Sequence, residues 1–174
     1  MPRLLLHNGL MPKKQSPPPR RRVIPPSGVK LTLVNVQRDR ALDREGLRSL
    51  VYQVLAEKGQ TADVVVHFIS RRRSAEINQQ FLQHTGPTDI ITFDYGSTDT
   101  HLAGELFICV SEAIRQAQEF GTGCSEELSR YVIHGLLHLR GMDDLEPGAR
   151  RVMKREENRL VRRFASSAIV CQNS

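Results

Sequence analysis

The sequence predicts one α+β domain over residues 29–170: a mixed sheet of about four strands with helices packed on it. Three observations carry that prediction. Short β-branched runs at 29–36, 63–69, 90–93 and 104–110 read as strands, and longer segments between and after them place apolar residues at helical spacing. The elements follow in the order β-α-β-α-β-β-α-α-α, which is neither a strict βα repeat nor an all-β pattern. A chain of 174 residues is also the size of a single domain with a real core.

Ahead of the domain, residues 1–28 hold six of the 25 basic side chains (Arg3, Lys13, Lys14, Arg20, Arg21, Arg22) and none of the 19 acids. The formal charge of +6 therefore belongs to this leader, and the remaining chain is neutral. The high pI is thus no argument that the folded domain binds nucleic acid. Proline runs and the lack of periodicity predict a disordered leader. A start codon assigned too far upstream, a basic arm touching RNA phosphates, and a transit peptide are the alternatives. Leu4–Leu6 is too short for a signal-peptide core, and no apolar run approaches a membrane span. Cys109, Cys124 and Cys171 are odd in number and fit no CxxC pattern, so they are expected to be reduced thiols in a cytoplasmic protein.

Residues 29–36 alternate as a strand. Asp43 caps a helix with Leu47, Leu50, Val51, Val54 and Leu55 on one face. Residues 63–69 form a β-branched, central strand, and Ser70 caps a helix whose Ile77 and Phe81 face inward. Gly86-Pro87-Thr88-Asp89 is a turn into the strand 90–93. A polar loop is expected over 95–103 and a strand over 104–110. Ser111 caps a helix carrying Ile114, Ala117 and Phe120. Ser125 caps the next, with Glu126 and Glu127 favourable to its dipole. Pro147 opens a last helix that runs to Phe164.

The most informative stretch is His134-Gly-Leu-Leu-His138-Leu-Arg-Gly141-Met-Asp143-Asp144. Residues at i and i+4 share a helix face with Cβ atoms roughly 5–6 Å apart, so both imidazoles can reach one ion. Gly141 ends the helix in the left-handed conformation, and the chain can then return Asp144 as a third ligand. Two histidines and a carboxylate, with a position left for water, is the ligand set of a catalytic zinc site. The spacing HxxxHxxGxxD is of the metzincin type. The alternative is a buried helix whose histidines are satisfied by hydrogen bonds. The glutamate that serves zinc peptidases as base is Gly135 here, which disfavours a peptidase.

Three blocks resemble the YbeY family, bacterial metal-dependent endoribonucleases and rRNA maturation factors. Asn78…Pro87-Thr88-Asp89-Ile90-Ile91-Thr92-Phe93 is similar to the family's Asn…Pro-Thr-Asp-Val-Leu-Ser-Phe. Gly104-Glu105-Leu106-Phe107-Ile108 is similar to Gly-Asp-Ile followed by apolar residues. The His134–Asp144 block is similar to His-Gly-x-Leu-His-Leu-x-Gly-Tyr-Asp-His. The resemblance covers about residues 29–165.

It implies a cytoplasmic, single-strand-specific endoribonuclease acting in rRNA maturation, including 16S rRNA 3′-end processing, and in ribosome quality control. Its partners would be ribosomal RNA and the small subunit, with no membrane and no nucleotide cofactor. It implies one Zn²⁺ on His134, His138 and Asp144. Asp144 replaces the family's third histidine, which makes the bound ion less electrophilic and shifts preference towards a harder metal such as Mn²⁺. The family's arginine, expected to hold the scissile phosphate, falls at Leu82. His84 in the same segment can supply a proton or be a solvent-exposed turn residue. Arg140, beside the second histidine, is a candidate for an RNA phosphate. Asp89 either orients a ligand histidine or makes an Asx turn, with the turn favoured. Glu105 and Arg71–Arg73 are expected at the surface. Leu82 and Asp144 together motivate a second reading: a metal-binding ribosome-assembly factor without efficient catalysis.

Overall fold

The computed structural model describes residues 23–83, 85–165 and 170–171. In chain order the elements are β1 (Val29–Asn35), α1 (Arg44–Glu57), β2 (Thr61–Ile69), α2 (Arg71–Ile77), a π turn (Asn78–Leu82), β3 (Ile90–Asp94), β4 (His101–Cys109), α3 (Val110–Phe120), α4 (Cys124–Leu139) and α5 (Pro147–Phe164). The strands form one mixed sheet in the order β1-β2-β4-β3, parallel except for the antiparallel β3–β4 pair. This is the α+β architecture expected, with β2 central.

Alternation decides which face each strand buries. In β4, Leu102, Gly104, Leu106 and Ile108 turn into the main core, while Glu105 and Phe107 face the other way. That core joins the sheet to α1, α4 and α5. Helix α4 lies in its middle, with Leu128, Val132, Ile133, Leu136 and Leu137 at 0 % exposure. Such enclosure requires close backbone approach. A Cβ on Gly135 would meet Leu106 Cδ2 at 2.7 Å and Ile90 Cδ1 at 2.8 Å, so glycine lets the helix sit this near β3 and β4 without displacing those core side chains.

Caps follow the sequence at two helices and depart from it at two. Asp43 accepts from Glu45 N at 3.2 Å, and Ser70 from Arg73 N at 3.4 Å. Ser111 is not a cap: β4 passes straight into α3, whose first flanking residue is Cys109. Nor is Ser125, because α4 starts one residue earlier behind Gly123. The Ser125 hydroxyl instead accepts from Val170 N at 2.8 Å and holds the C-terminal segment.

Other expectations are corrected. The loop before β4 spans only 95–100, since Asp94 accepts from Ser97 N at 2.8 Å and Thr98 N donates to His101 O at 2.7 Å. These bonds close a tight turn, so the strand begins at His101. Phe120, in the last turn of α3 at the edge of its buried stripe, is exposed. Phe81 is 56 % exposed although Ile77 is buried. The π turn after Ile77 breaks the i, i+4 relation that would have kept the two on one face. Cys124 and Cys171 form a disulfide, and only Cys109 is free among the cysteines. They come together because Cys171 pairs with Leu42 beside the start of α4, a non-local contact with no sequence signature. Of the leader, residues 23–28 are placed: Val23 N donates to Glu45 at 3.1 Å and Gly28 O accepts from Ala62 N at 3.1 Å. The disorder expected for 1–28 does not extend to these six residues; residues 1–22, which carry the rest of that expectation and all six basic groups, lie outside the described residues.

Candidate metal centre

Helix α4 presents His134 and His138 one turn apart, and the chain then reverses at Gly141 (φ 77°). Met142 N donates to Leu137 O at 3.1 Å and Gly141 N to His138 O at 2.8 Å, the paired bonds of a glycine-terminated helix. This reversal brings Asp144 back. One carboxylate oxygen lies 3.7 Å from His134 Nε2 and the other 3.8 Å from His138 Nε2. The two Nε2 atoms are 3.0 Å apart. All three ligand atoms fall within 4.8 Å of one another, so the group can hold a metal ion.

The far side of each ring fixes its tautomer. His134 Nδ1 lies 2.9 Å from a Glu157 carboxylate oxygen, and His138 Nδ1 lies 3.1 Å from Met142 O. A carboxylate and a carbonyl only accept, so both Nδ1 atoms are the donors. With the proton on Nδ1, the lone pair of each ring lies on Nε2, and the two Nε2 atoms stand 3.0 Å apart beside a carboxylate. A proton shared between the nitrogens would leave the Asp144 oxygens beyond hydrogen-bond length. A cation collects all three. Burial and the neighbouring His134 push the His138 pKa below its usual value, against the pull of Asp144, which favours the neutral ring that a metal would need.

Glu157, on α5, is the functional residue that the sequence reading missed. It is 3 % exposed and accepts from His134, from Arg130 at 2.9 Å and from Lys154 at 2.7 Å. Burial alone would raise its pKa, but these hydrogen bonds overcome that and hold it at about 2. A carboxylate behind a histidine orients the ring and raises its basicity as a ligand. The signal was present: Met153, Glu157, Leu160 and Phe164 form the buried stripe of α5, and an acid on an apolar stripe needs a partner. Beside the three ligand candidates opens a cleft of about 290 Å³, lined by Arg150, Met153, Lys154 and Glu157 as well as His134 and Asp144.

Several predicted residues lie elsewhere. Arg140 is a correction: it turns away from the cleft, donating to Gln60 at 2.9 Å and to Val54 O at 2.8 Å, and so ties α4 to α1. Burial lowers its pKa. His84 lies outside the described residues, as does the side chain of Leu82. Asp89 accepts from Ile90 N at 2.9 Å and from Thr88 Oγ1 at 3.0 Å, bonds to its chain neighbours that are neither the i+2 bond of an Asx turn nor a bond to His134 or His138. Asp143 accepts from Leu145 N at 3.0 Å. Glu105 pairs with His67 at 3.0 Å on the opposite face of the sheet. Gly135, where a peptidase carries its base, faces the sheet, so a side chain there would enter the core.

Fold and site together define an α+β protein with a candidate two-histidine, one-carboxylate metal centre on an enclosed helix. The family model described as Endoribonuclease YbeY matches residues 32–165, and the chain belongs to that family, a family of RNA-hydrolysing enzymes. Among its relatives, "Endoribonuclease YbeY" of Chlorobium luteolum is 38 % identical over 127 residues, covering 72 % of this chain and 92 % of that one. The Parabacteroides distasonis protein of the same name is 44 % identical over 99 residues, covering 57 % of this chain and 69 % of that one. The solution structure of TM1509 from Thermotoga maritima shares the fold, with a TM-score of 0.60 and 24 % identity over 79 % of this chain and 91 % of that one.

Proposed function

We propose that this protein is a metal-dependent, single-strand-specific endoribonuclease acting on ribosomal RNA. The observation that carries the reading is the convergence of two bare Nε2 lone pairs and one carboxylate beside an open cleft. His134, His138 and Asp144 are the ligands, with Zn²⁺ the first expectation and Mn²⁺ the alternative favoured by the added carboxylate. A bound divalent ion supplies a Lewis acid for a phosphoryl oxygen and lowers the pKa of water.

The chain's own residues do the rest. Glu157 keeps the His134 proton on Nδ1. Arg150 and Lys154 stand on the cleft wall and give phosphate oxygens cationic partners where Leu82 provides none. Arg150 Nε meanwhile donates to Asp144 O at 2.8 Å, which ties the ligand loop to α5.

The biological substrate in this reading is ribosomal RNA of the small subunit, including 16S 3′-end maturation and ribosome quality control, and the compartment is the cytoplasm. The family resemblance supports that compartment, and the Cys124–Cys171 disulfide opposes it. Among the described residues no helix is long and apolar enough to cross a membrane. The test is incubation with a precursor 16S 3′-end RNA, in single-stranded form and annealed to a complementary strand. Chelator-sensitive cleavage of the single-stranded form alone is expected. Cleavage of both forms, or of neither, contradicts the reading.

Leu82 at the family's arginine position favours one second reading, a metal-binding assembly factor that binds ribosomes without cutting RNA. Metal binding with ribosome affinity and no cleavage would establish it.

A further inference from the structure

The sheet has a second face, and most of it is not covered by a helix. Ile69, Ile77 and Ile91 form a small buried cluster under α2. Beyond it the face stays open, and aromatic rings line it. His67 and Phe107 are register partners on β2 and β4, stacked with centroids 4.3 Å apart and planes 2° from parallel. Phe107 meets Phe93 edge to face at 5.7 Å, and Phe93 meets Phe81 at 5.2 Å. Four rings thus form a continuous row across three strands and onto the π turn. Tyr95, 63 % exposed, stands at the same groove, whose volume is about 620 Å³.

The π turn is what opens the row. It swings Phe81 off the face that buries Ile77, and Gln83 at φ 56° then turns the chain away. The result is a groove lined by aromatic rings with Arg73 on its wall. Arg71 and Arg72 precede it, with side chains 63 % and 90 % exposed. These three guanidiniums share two carboxylates, Glu76 and Glu112, and Glu112 is also held by Arg115. Among the described residues that line the groove, the one acid, Glu105, is paired with His67. The rim is therefore cationic and the floor aromatic.

We infer that this groove is a base-stacking platform for single-stranded RNA, separate from the metal centre, in which Phe81 and Tyr95 stack bases and Arg71–Arg73 meet the backbone phosphates. Stacking on exposed rings beside a basic rim is how single strands are held without sequence preference. A sheet whose open face carries aromatics is one way proteins build such a site. Charge complementarity selects RNA over a second copy of this chain, which would set arginine rim against arginine rim. The platform rests on the RNA-directed reading above. It grips substrate on the sheet face opposite α4, and so adds affinity without entering the chemistry.

Tyr95 supplies a direct readout. The chain has no tryptophan and three tyrosines, and Tyr52 and Tyr131 are buried. Stacking of a base on Tyr95 therefore quenches the exposed share of tyrosine emission. The experiment titrates the full chain with a 2′-O-methyl oligouridine of about twelve nucleotides, within the usual site size. Anisotropy of the labelled oligonucleotide and tyrosine emission are both followed. Wild type, Phe81→Ala, Tyr95→Ala and Phe81→Tyr are compared, with thermal midpoints recorded for each.

Phe81→Ala and Tyr95→Ala are each expected to weaken binding ~5- to 150-fold, while Phe81→Tyr binds as wild type. Emission is expected to be quenched in every variant except Tyr95→Ala. Alanine variants that fold and bind as wild type overturn the platform, as does a wild type that binds no oligouridine. Loss of self-association in the alanine variants with RNA binding unchanged also overturns it and makes the groove a dimer interface. Binding through the platform without cleavage of any RNA would leave it standing and remove the nuclease reading instead.

Discussion

Glu157 accepts the Nδ1 proton of His134 at 2.9 Å, from a helix 23 residues further along the chain. That one bond sets which nitrogen of His134 faces the ligand cluster, and it makes α5 part of the metal centre. Replacing the carboxylate by an amide keeps the shape and removes the charge. Glu157→Gln is expected to bind metal ~10- to 100-fold more weakly. Titration calorimetry with Zn²⁺ checks it, and an unchanged affinity would show that the His134 ring is held by other means.

The same carboxylate and His138 set the acid limit of stability. Both pKa values are depressed in the fold, from 6.5 for His138 and from 4.5 to about 2 for Glu157. The unfolded chain therefore takes up protons first as pH falls, and each group's stabilisation is present above its unfolded value and lost below it. For His138 the loss begins below its usual value of 6.5. For Glu157 it runs from pH 4.5 down to about 2, and it is worth about 3 kcal/mol. Urea unfolding of metal-free protein at pH 7, 5 and 3 should show a falling midpoint, with a shallower fall between pH 5 and 3 in Glu157→Gln. Equal pH dependence in the two proteins would contradict the assignment.

Gly135 answers the question raised by the missing peptidase glutamate. Its position faces Leu106 and Ile90, whose methyl groups would have to shift to admit even a Cβ. Gly135→Ala is expected to destabilise by ~1–3 kcal/mol through overpacking, and Gly135→Glu should not create a peptidase. Thermal unfolding and a casein assay measure the two. A Gly135→Ala protein as stable as wild type would show that α4 can lift from the sheet without cost.

The cysteines give a chemical test of the C-terminal arrangement. With Cys124 and Cys171 bridged and Cys109 free, denaturation without reductant followed by alkylation should label one thiol per chain. Three labels would mean that the bridge does not form under the conditions used and would restore the all-reduced expectation.

What the sequence made legible follows from locality. Asp43, Ser70, Gly141 and Pro147 act within four residues of themselves, and each does what its chemistry predicts. The candidate ligand set was readable because His134, His138 and Asp144 lie within eleven residues on one helix and its reversal. Features set by distant contacts were not readable. Glu157 reaches His134 only because α4 and α5 pack, and Arg140 turns to α1 because Gln60 and Val54 O wait there. The Cys124–Cys171 bridge joins residues 47 apart in sequence, where Cys171 also pairs with Leu42. Phe81 was misplaced for a different reason. A π turn shifts register by a fraction of a turn, and apolar spacing alone does not distinguish it from an α-helix.

The central claim is that His134, His138 and Asp144 hold a metal ion that RNA cleavage requires. The most direct measurement is metal content by elemental analysis, together with chelator-reversible cleavage of single-stranded ribosomal RNA, in wild type and His138→Ala. The account predicts one equivalent of metal and cleavage in wild type, both lost in the variant, with cleavage restored to chelated wild type by added metal. Cleavage that survives in a metal-free His138→Ala protein, at a purity that excludes contaminating ribonuclease, would contradict it.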